Sequence, residues 1–422
     1  MISIKKFRDD SQKIKKAIFN RGSKVDISKV VSLDENVRGL KHKTNMIRSQ
    51  INELSEKIGN AKKNKLDANN EIKKSRELGK KLKIKDVELK RAQNLLLDIL
   101  YNIPNIAHYS VPIGKDESDN QIVRYWGKKP EFQFEVKDHT VLGKNLKLFD
   151  FKSGAKLSGT GFPVYTDRGA LLERNLINSM INHHVTKFGF KEISPPVLMN
   201  KKSMITTGQL PKFEDDMYHT ESDNLYLAPT AEVPLTNIHR DEILDKKQLP
   251  INYVAYTPCF RREAGSYGKE THGLLRLHQF NKVELVKFTL PEYSYSELEV
   301  LTKQAETILQ TLGLHYRVIE LCTGDLSFSA AKCYDIEVWA PGEEKWLEVS
   351  SCSNFESFQS RRGNIRFRDK IENNVDFLHT LNGSGLATPR LMVALLETYQ
   401  TGTGNIEFPP DVSEFLQFQE KI

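Results

Sequence analysis

Cysteine is scarce and scattered. Cys259, Cys322, Cys333 and Cys352 show no paired spacing, which argues against a zinc site and against a disulfide framework. They suit small reduced core residues in a cytosolic protein. Long apolar runs are also missing, so no stretch approaches the length of a membrane-spanning helix. The first ten residues, Met1 to Asp10, carry acids too early for a transit peptide and hold no signal-peptide core. The expected location is the cytoplasm. Neither a Walker A loop nor a Rossmann fingerprint is present. The segment from Gly265 to Thr271 mimics the former, but two residues rather than four separate its glycines. No Ser-His-Asp arrangement can be identified.

Charge is present and unevenly placed. The chain of 422 residues is long enough for two domains and a substantial core. Residues 1–100 hold 26 Lys and Arg against 13 Asp and Glu, a net charge of +13, whereas positions 101–422 sum to −6. A solvated, lysine-rich helical face would account for this, and so would a polyanion-binding appendage. The same region is the most periodic. Leu33, Val37, Leu40, Thr44, Ile47, Ile51, Leu54, Ile58 and Ala61 alternate steps of four and three, a heptad seam on a helix. The pattern stops between Gly59 and Asn70, which reads as a tip. It resumes with Leu78, Leu82, Leu89, Ala92, Leu96, Ile99 and Ile103 before Pro104, interrupted by Lys85. Two helices of about 30 residues predict an antiparallel hairpin roughly 45–50 Å long. So narrow an apolar stripe fits a projecting arm. Its use is either a dimerisation coiled coil or a grip on a polyanion, with Lys57, Lys62, Lys63 and Lys65 near the tip.

From about Thr166 onward, helices and strands mix without βαβ alternation. Leu171 to Phe188 reads as an amphipathic helix. Asn224–Ala228, Asn252–Arg261, Leu274–Phe288, Cys333–Trp339 and Trp346–Cys352 read as strands, and Phe132–Val136 as a short one. Phe260 to Phe280 predicts a strand, a polar loop with Gly265, Gly268 and Gly273, and a returning strand. That return puts Leu275, Leu277 and Gln279 on one face and Arg276, His278 and Phe280 on the other. Such a hairpin brings Arg261 and Arg276 together as a clamp for phosphate oxygens. Phe280 offers a flat face to a base.

This segment resembles the second motif of class II aminoacyl-tRNA synthetases, in wording close to the seryl-tRNA synthetases. Gly189 to Pro196 is similar to the first class II motif, a helix running into a strand with proline at its end. Asn382 to Arg390 is similar to the third, a glycine-rich strand delivering an arginine at a helix start. The three motifs occur in order, and the arm fits the same family. The resemblance implies an α+β fold. An N-terminal antiparallel two-helix coiled-coil arm (1–104) is followed by a linker and start of the body (105–165). A class II catalytic domain (166–422) follows, built on a mixed, mainly antiparallel sheet.

The resemblance also implies the chemistry. The serine carboxylate attacks the α-phosphorus of ATP, pyrophosphate leaves, and the terminal ribose of tRNA(Ser) takes the seryl group. The substrates supply nucleophile and leaving group, so the protein aligns them and neutralises charge. Residue by residue, Arg261 meets the α-phosphate and the serine carboxylate, with Arg262 beside it. Glu263 accepts from the adenine amino group, Phe280 stacks on the ring, and Arg276 reaches the far phosphates. Arg390 stacks on the other adenine face, with Gly383, Gly385 and Ala387 giving the nucleotide close access to the backbone. Glu348, Val349, Ser350 and Ser351 border the phosphates, and Glu348 with Ser351 holds Mg²⁺. On the strand itself, alternation puts Glu348 with Ser350 and Val349 with Ser351, with Asp335 and Glu337 as weaker candidates nearby. Thr230, Ala231 and Glu232 form the amino-acid pocket, Glu232 taking the ammonium, Glu284 the serine hydroxyl, and Ser384 closing it. Thr207 to Phe213 reads as a loop over the site. His278 reads as a hydrogen-bonding or packing residue rather than a base. A homodimer through the first motif is implied, and tRNA(Sec) is left open as a second acceptor. Arg262, His272 and the pair Thr388-Pro389 depart from the family's usual residues.

Two other functions fit parts of the pattern. An amino-acid activator that loads a carrier protein would resemble the body, but such enzymes lack a long basic arm and use cysteine-ligated zinc. A non-catalytic RNA-binding factor should show gaps among Arg261, Glu263, Arg276, Glu284, Glu348 and Arg390, and all six are present.

Overall fold

The computed structural model describes residues 1–264, 272–371, 374–418 and 421. The glycines Gly265 and Gly268 of the expected loop, and the Walker-like stretch, lie outside the described residues. The chain divides into two units, one of residues 2–19 and 23–103, the other of Met1, 20–22 and 104–422.

The first unit is helical, with α1 (Ile4–Asp9), α2 (Ser11–Asn20), α3 (Ile27–Lys63) and α4 (Asn69–Tyr101). Every seam residue of α3 from Leu33 to Ala61 is buried or half-buried, and from Val37 onward each stands between exposed neighbours. The two long helices contain 37 and 33 residues. At 1.5 Å per residue they are about 55 and 50 Å long, so α3 exceeds the predicted length and α4 reaches its upper end. The tip is correspondingly narrower. Helix α3 runs on through Gly59 and Asn60, because an exposed glycine costs a helix only about 1 kcal/mol, and the turn is confined to Asn64–Ala68. Asp26 caps α3 by accepting from the Ser28 backbone N–H. At the interruption of the seam Lys85 pairs with Glu88 at 2.6 Å, while Arg48 of α3 meets Asp86 of α4 at 2.9 Å. Charge pairing thus replaces apolar packing there. The two short N-terminal helices have no counterpart in the periodicity. Arg8 of α1 holds Asp34 of α3 through bonds of 2.7 and 2.6 Å, which keeps that carboxylate below its usual pKa.

The second unit is built on an eight-stranded sheet. Its strands are β1 (Gln121–Trp126), β2 (Lys191–Glu192), β3 (Ile251–Phe260), β4 (Gln279–Thr289), β5 (Tyr316–Glu320), β6 (Lys332–Ala340), β7 (Lys345–Asn354) and β8 (His379–Ala387). Their spatial order is β1-β5-β6-β7-β8-β4-β3-β2. Neighbours are antiparallel except β2 beside β3. Helices α5 (Arg168–Phe188), α7 (Ser294–Thr311) and α8 (Thr388–Thr398) cover one face, and α6 (Glu232–Asn237) lies near the site. Strand parity explains the layering. Val283 and Leu285 of β4 join Leu176, Leu301 and Leu395 of the helices in the main core. Phe280, Lys282 and Glu284, one residue out of phase, point to the other face.

Two expectations of secondary structure change. Phe132–Val136 is not a strand; Phe132 and Phe134 pack edge-on, with centroids 5.3 Å apart. The stretch 105–165 belongs to the second unit and contributes the edge strand β1. The returning strand of the second motif begins at Gln279, not Leu274. Leu274, Leu275 and Leu277 are all buried, so residues 272–278 fold as turns that sink three leucines together, which alternation would forbid. No helix among the described residues is long and apolar enough to cross a membrane.

Candidate active site

On the sheet face opposite the three helices lies a cavity of about 480 Å³. It collects the end of β3, the leucine turn, β4, β7, β8 and the start of α8. Of the residues expected at the site, Thr230, Glu232, Arg261, Glu263, Arg276, Phe280, Glu348, Val349, Ser351, Ser384 and Arg390 line it, together with Thr207 and Phe213 from the covering loop.

One end is a buried polar network. Lys282 Nζ lies 2.5 Å from Glu284 Oε2 and donates to Thr230 Oγ1 at 3.0 Å. Asn382 Nδ2 bridges the two carboxylates, donating to Glu284 Oε1 at 3.0 Å and Glu232 Oε2 at 3.1 Å. Gln359 Nε2 donates to the other Glu232 oxygen at 2.6 Å, and its own oxygen accepts from Thr380 at 2.7 Å. Burial pushes the Glu232 carboxyl up to about 7, and the charge of Glu284 adds to it, against Gln359, Lys282 and Arg261. Glu284 itself is fully buried; it forms the floor behind Lys282 rather than part of the wall. Ala231 is the buried N-cap residue of α6 and does not line this cavity.

The other end is cationic. Arg261 sits with its guanidinium carbon 5.2 Å from the centre of the Phe280 ring, a cation–π distance. Arg276 is ion-paired with Glu263. Arg390 donates to the Leu275 carbonyl at 3.1 Å and the Glu348 carbonyl at 3.0 Å, so the third motif grips both the leucine turn and β7. Pro389 in the first turn of α8 needs no backbone donor there. Arg262 is exposed and off the cavity, its backbone N–H donating to the Asp216 carbonyl at 2.9 Å.

A β-bulge corrects the reading of β7. Glu337 pairs with Glu348 and Ile336 with Ser350, leaving Val349 as the extra residue. The bulge resets parity, so Glu348 shares the cavity face with Ser351 and Ser353. Ser350 turns away, donates to the Ser384 carbonyl at 2.7 Å and does not line the cavity. The glycines of the third motif also differ from expectation. A Cβ on Gly383 would come within 3.0 Å of Cys352 Sγ, and one on Gly385 within 2.8 Å of His184. Their smallness admits the helix layer behind the sheet, and of that trio only Ala387 faces the cavity.

Behind the turn lies a cluster that the sequence does not announce. Glu343 Oε1 is 3.0 Å from both His139 Nδ1 and His272 Nε2, close enough to suggest a metal site. The tautomer argues against one. His139 Nε2 accepts from the Leu274 N–H at 3.0 Å, so its Nδ1 carries the proton and donates to Glu343. The cluster therefore anchors the turn. His278 stacks on Phe162 at 5.2 Å and its Nδ1 meets the Arg261 carbonyl at 3.1 Å, outside the cavity. Lys282, Asn382 and Gln359 were missed from sequence. A lysine and a glutamate two apart on one strand face, Lys282 and Glu284, were the available signal.

Residues 1–107 match the model of the seryl-tRNA synthetase N-terminal domain, and residues 212–399 the class II core domain shared by the G, H, P, S and T synthetases. A serine–tRNA ligase of Geobacter sulfurreducens is 48% identical over 422 residues, covering 100% of both chains. One from Bacillus pumilus is 49% identical over 421 residues, covering 100% of this chain and 99% of its own. The crystal structure of seryl-tRNA synthetase from Pyrococcus horikoshii complexed with ATP aligns with a TM-score of 0.92 at 35% identity, covering 100% of this chain and 99% of that one. The cytoplasmic enzyme of Naegleria fowleri in complex with AMP aligns at 0.86 and 28%, covering 100% and 98%. The chain belongs to the seryl-tRNA synthetases, a family of class II aminoacyl-tRNA synthetases.

Proposed function

We propose that the cavity activates L-serine with ATP and passes the seryl group to tRNA(Ser). The serine carboxylate oxygen bonds to the α-phosphorus as the bond to pyrophosphate breaks. A hydroxyl of the tRNA 3′-terminal ribose then attacks the seryl carbonyl and AMP leaves. The observation that carries this reading is the convergence of Arg261, Arg276 and Arg390 on one cavity whose far end is lined by Glu232 and Lys282, with Glu284 buried behind Lys282. Three fixed guanidiniums suit a triphosphate. Glu232 takes the serine ammonium. Glu284, already bonded to Asn382 and Lys282, accepts the hydroxyl, and an apolar analogue would leave that buried network unmatched. Phe280 and Arg390 form the walls of the adenine slot, and Glu263 accepts from the adenine amino group. The ATP and AMP complexes of the two related synthetases agree with this nucleotide.

Mg²⁺ is part of the same proposal. Glu348 and Ser351 share the cavity face and are hard oxygen donors, which suits that ion. Next to them the Asp335 carboxyl is pushed well up, first by burial and then by the charge of Glu348, which favours its neutral form and leaves Glu348 as the anionic donor. When bound, the ion supplies charge to the phosphates. The basic arm is proposed to hold tRNA(Ser), with tRNA(Sec) as a second acceptor. The chain is proposed to pair with a second copy through α5 and β2, beside which runs a groove of about 400 Å³ lined by Arg174, Asn178 and Glu192. The four free, buried cysteines suit the cytoplasm. A panel of amino acids in ATP–pyrophosphate exchange tests the core proposal. Serine alone should support exchange; exchange with alanine or threonine in its place refutes the pocket.

A further inference from the structure

We infer that Glu173 is a positioning residue that sets the width of the nucleotide slot from behind the sheet. The inference rests on the assignment of Phe280 and Arg390 as the slot's two walls. Glu173 lies on α5, is 7% exposed, and uses one oxygen twice. Its Oε1 accepts from Asn281 Nδ2 at 2.9 Å and from Thr388 Oγ1 at 2.9 Å. Asn281 sits between Phe280 and Lys282 on β4, with its side chain on the opposite strand face. Its oxygen accepts from the Tyr256 hydroxyl at 3.1 Å. Thr388 is the first residue of α8, two before Arg390, and its hydroxyl also lies 3.2 Å from the Asn281 carbonyl.

A single carboxylate therefore ties the strand carrying one wall to the helix carrying the other. It does so from α5, the helix that leads into the first class II motif, and its partners are Asn281, which directly follows the second motif, and Thr388 of the third. A buried carboxyl whose bonded partners are neutral donors is costly to keep, and burial raises the Glu173 pKa accordingly. An apolar side chain would fill the space more cheaply but could not hold both donors. The link to Glu173 gives the Thr388 hydroxyl its acceptor.

Exchange kinetics on the full chain test this. Thr388→Val keeps the shape and deletes the hydroxyl, whereas Thr388→Ser keeps the hydroxyl. Thr388→Val and Glu173→Ala should each raise KM for ATP about tenfold, the loss expected for one bond to a carboxylate. KM for serine should stay within about twofold. Thr388→Ser should behave as wild type, and the double variant should be no worse than Glu173→Ala. Equal rises in both KM values, a lowered Tm with unchanged kinetics, or multiplicative effects in the double variant would each overturn the inference. If Glu173→Ala does not fold, the Thr388 pair decides alone. Wild-type chain that shows no serine-dependent exchange would instead remove the site assignment on which the inference stands.

Discussion

The carboxylate of Glu263 and the guanidinium of Arg276 form an ion pair across 13 residues of chain, at the two feet of one loop. Glu263 holds this position with φ +53°, a left-handed conformation that a non-glycine residue adopts at some cost. In the proposed mechanism each residue has another partner: Arg276 the distal phosphates, Glu263 the adenine amino group. Binding therefore exchanges one charge pair for two contacts with the same nucleotide, so the loop feet respond to a complete ATP rather than to phosphate alone.

Arg276→Ala should raise KM for ATP by about 10- to 100-fold, the cost of a charged hydrogen-bonding partner, and leave KM for serine nearly unchanged. Arg276→Lys should recover little, because an ammonium cannot present the planar fork that meets both a carboxylate and a phosphate. Exchange rates at varied ATP measure both. Wild-type kinetics in the lysine variant would show that charge alone suffices.

Glu232 links activity to pH. The ammonium of serine binds its anion, so kcat/KM for serine should climb as pH rises through about 7 and then level off. Stability should run the other way. The folded-state pKa lies above the ordinary 4.5, so between pH 4.5 and about 7 the folded chain holds a proton that the unfolded chain has lost. Folding stability then declines across that window as pH rises. Thermal melts of wild type and Glu232→Gln at pH 5 and 8 should show a decline that is smaller in the variant. Identical slopes would remove Glu232 as the source.

The arm was readable because a heptad seam is a local, repeated signal, and its positions are the ones half-buried between α3 and α4. The arginines of the site were readable because each closes a motif whose order is distinctive. What escaped depends on partners far along the chain. The role of Asn382 appears only when Glu232 and Glu284, 150 and 98 residues away, meet at its amide. Strand parity predicted Glu284 beside Phe280, but on β7 it failed at Val349, because a bulge is set by the neighbouring strand rather than by the local sequence. The leucine turn failed similarly. Three leucines within four positions leave no alternation, and their backbone is held by His139 and Arg390 from elsewhere.

The bulge gives a metal test. If Glu348 and Ser351 hold Mg²⁺, chelation with EDTA should abolish exchange, and Glu348→Gln should raise the half-saturating Mg²⁺ concentration about tenfold, as loss of one charged oxygen donor should. Ser350→Ala should leave that concentration unchanged, since its hydroxyl is committed to the Ser384 carbonyl on the other face. A Mg²⁺ titration of exchange separates them. An unchanged Mg²⁺ requirement in Glu348→Gln would place the ion elsewhere.

The arm should act through phosphates, without reading bases. Lys57, Lys62, Lys63 and Lys65 are all exposed near the hairpin tip. Neutralising them together with Lys→Ser substitutions should leave serine-dependent exchange intact, because no tip residue lines the catalytic cavity. Charging of tRNA(Ser) should weaken instead. The slope of log affinity against log salt should become shallower by roughly 0.7 to 0.9 for each phosphate contact removed. Filter binding across a salt series reads this directly. If the four-lysine variant keeps the wild-type slope and charges tRNA normally, the positive face of the arm is solvated surface, and the tRNA is held by other residues.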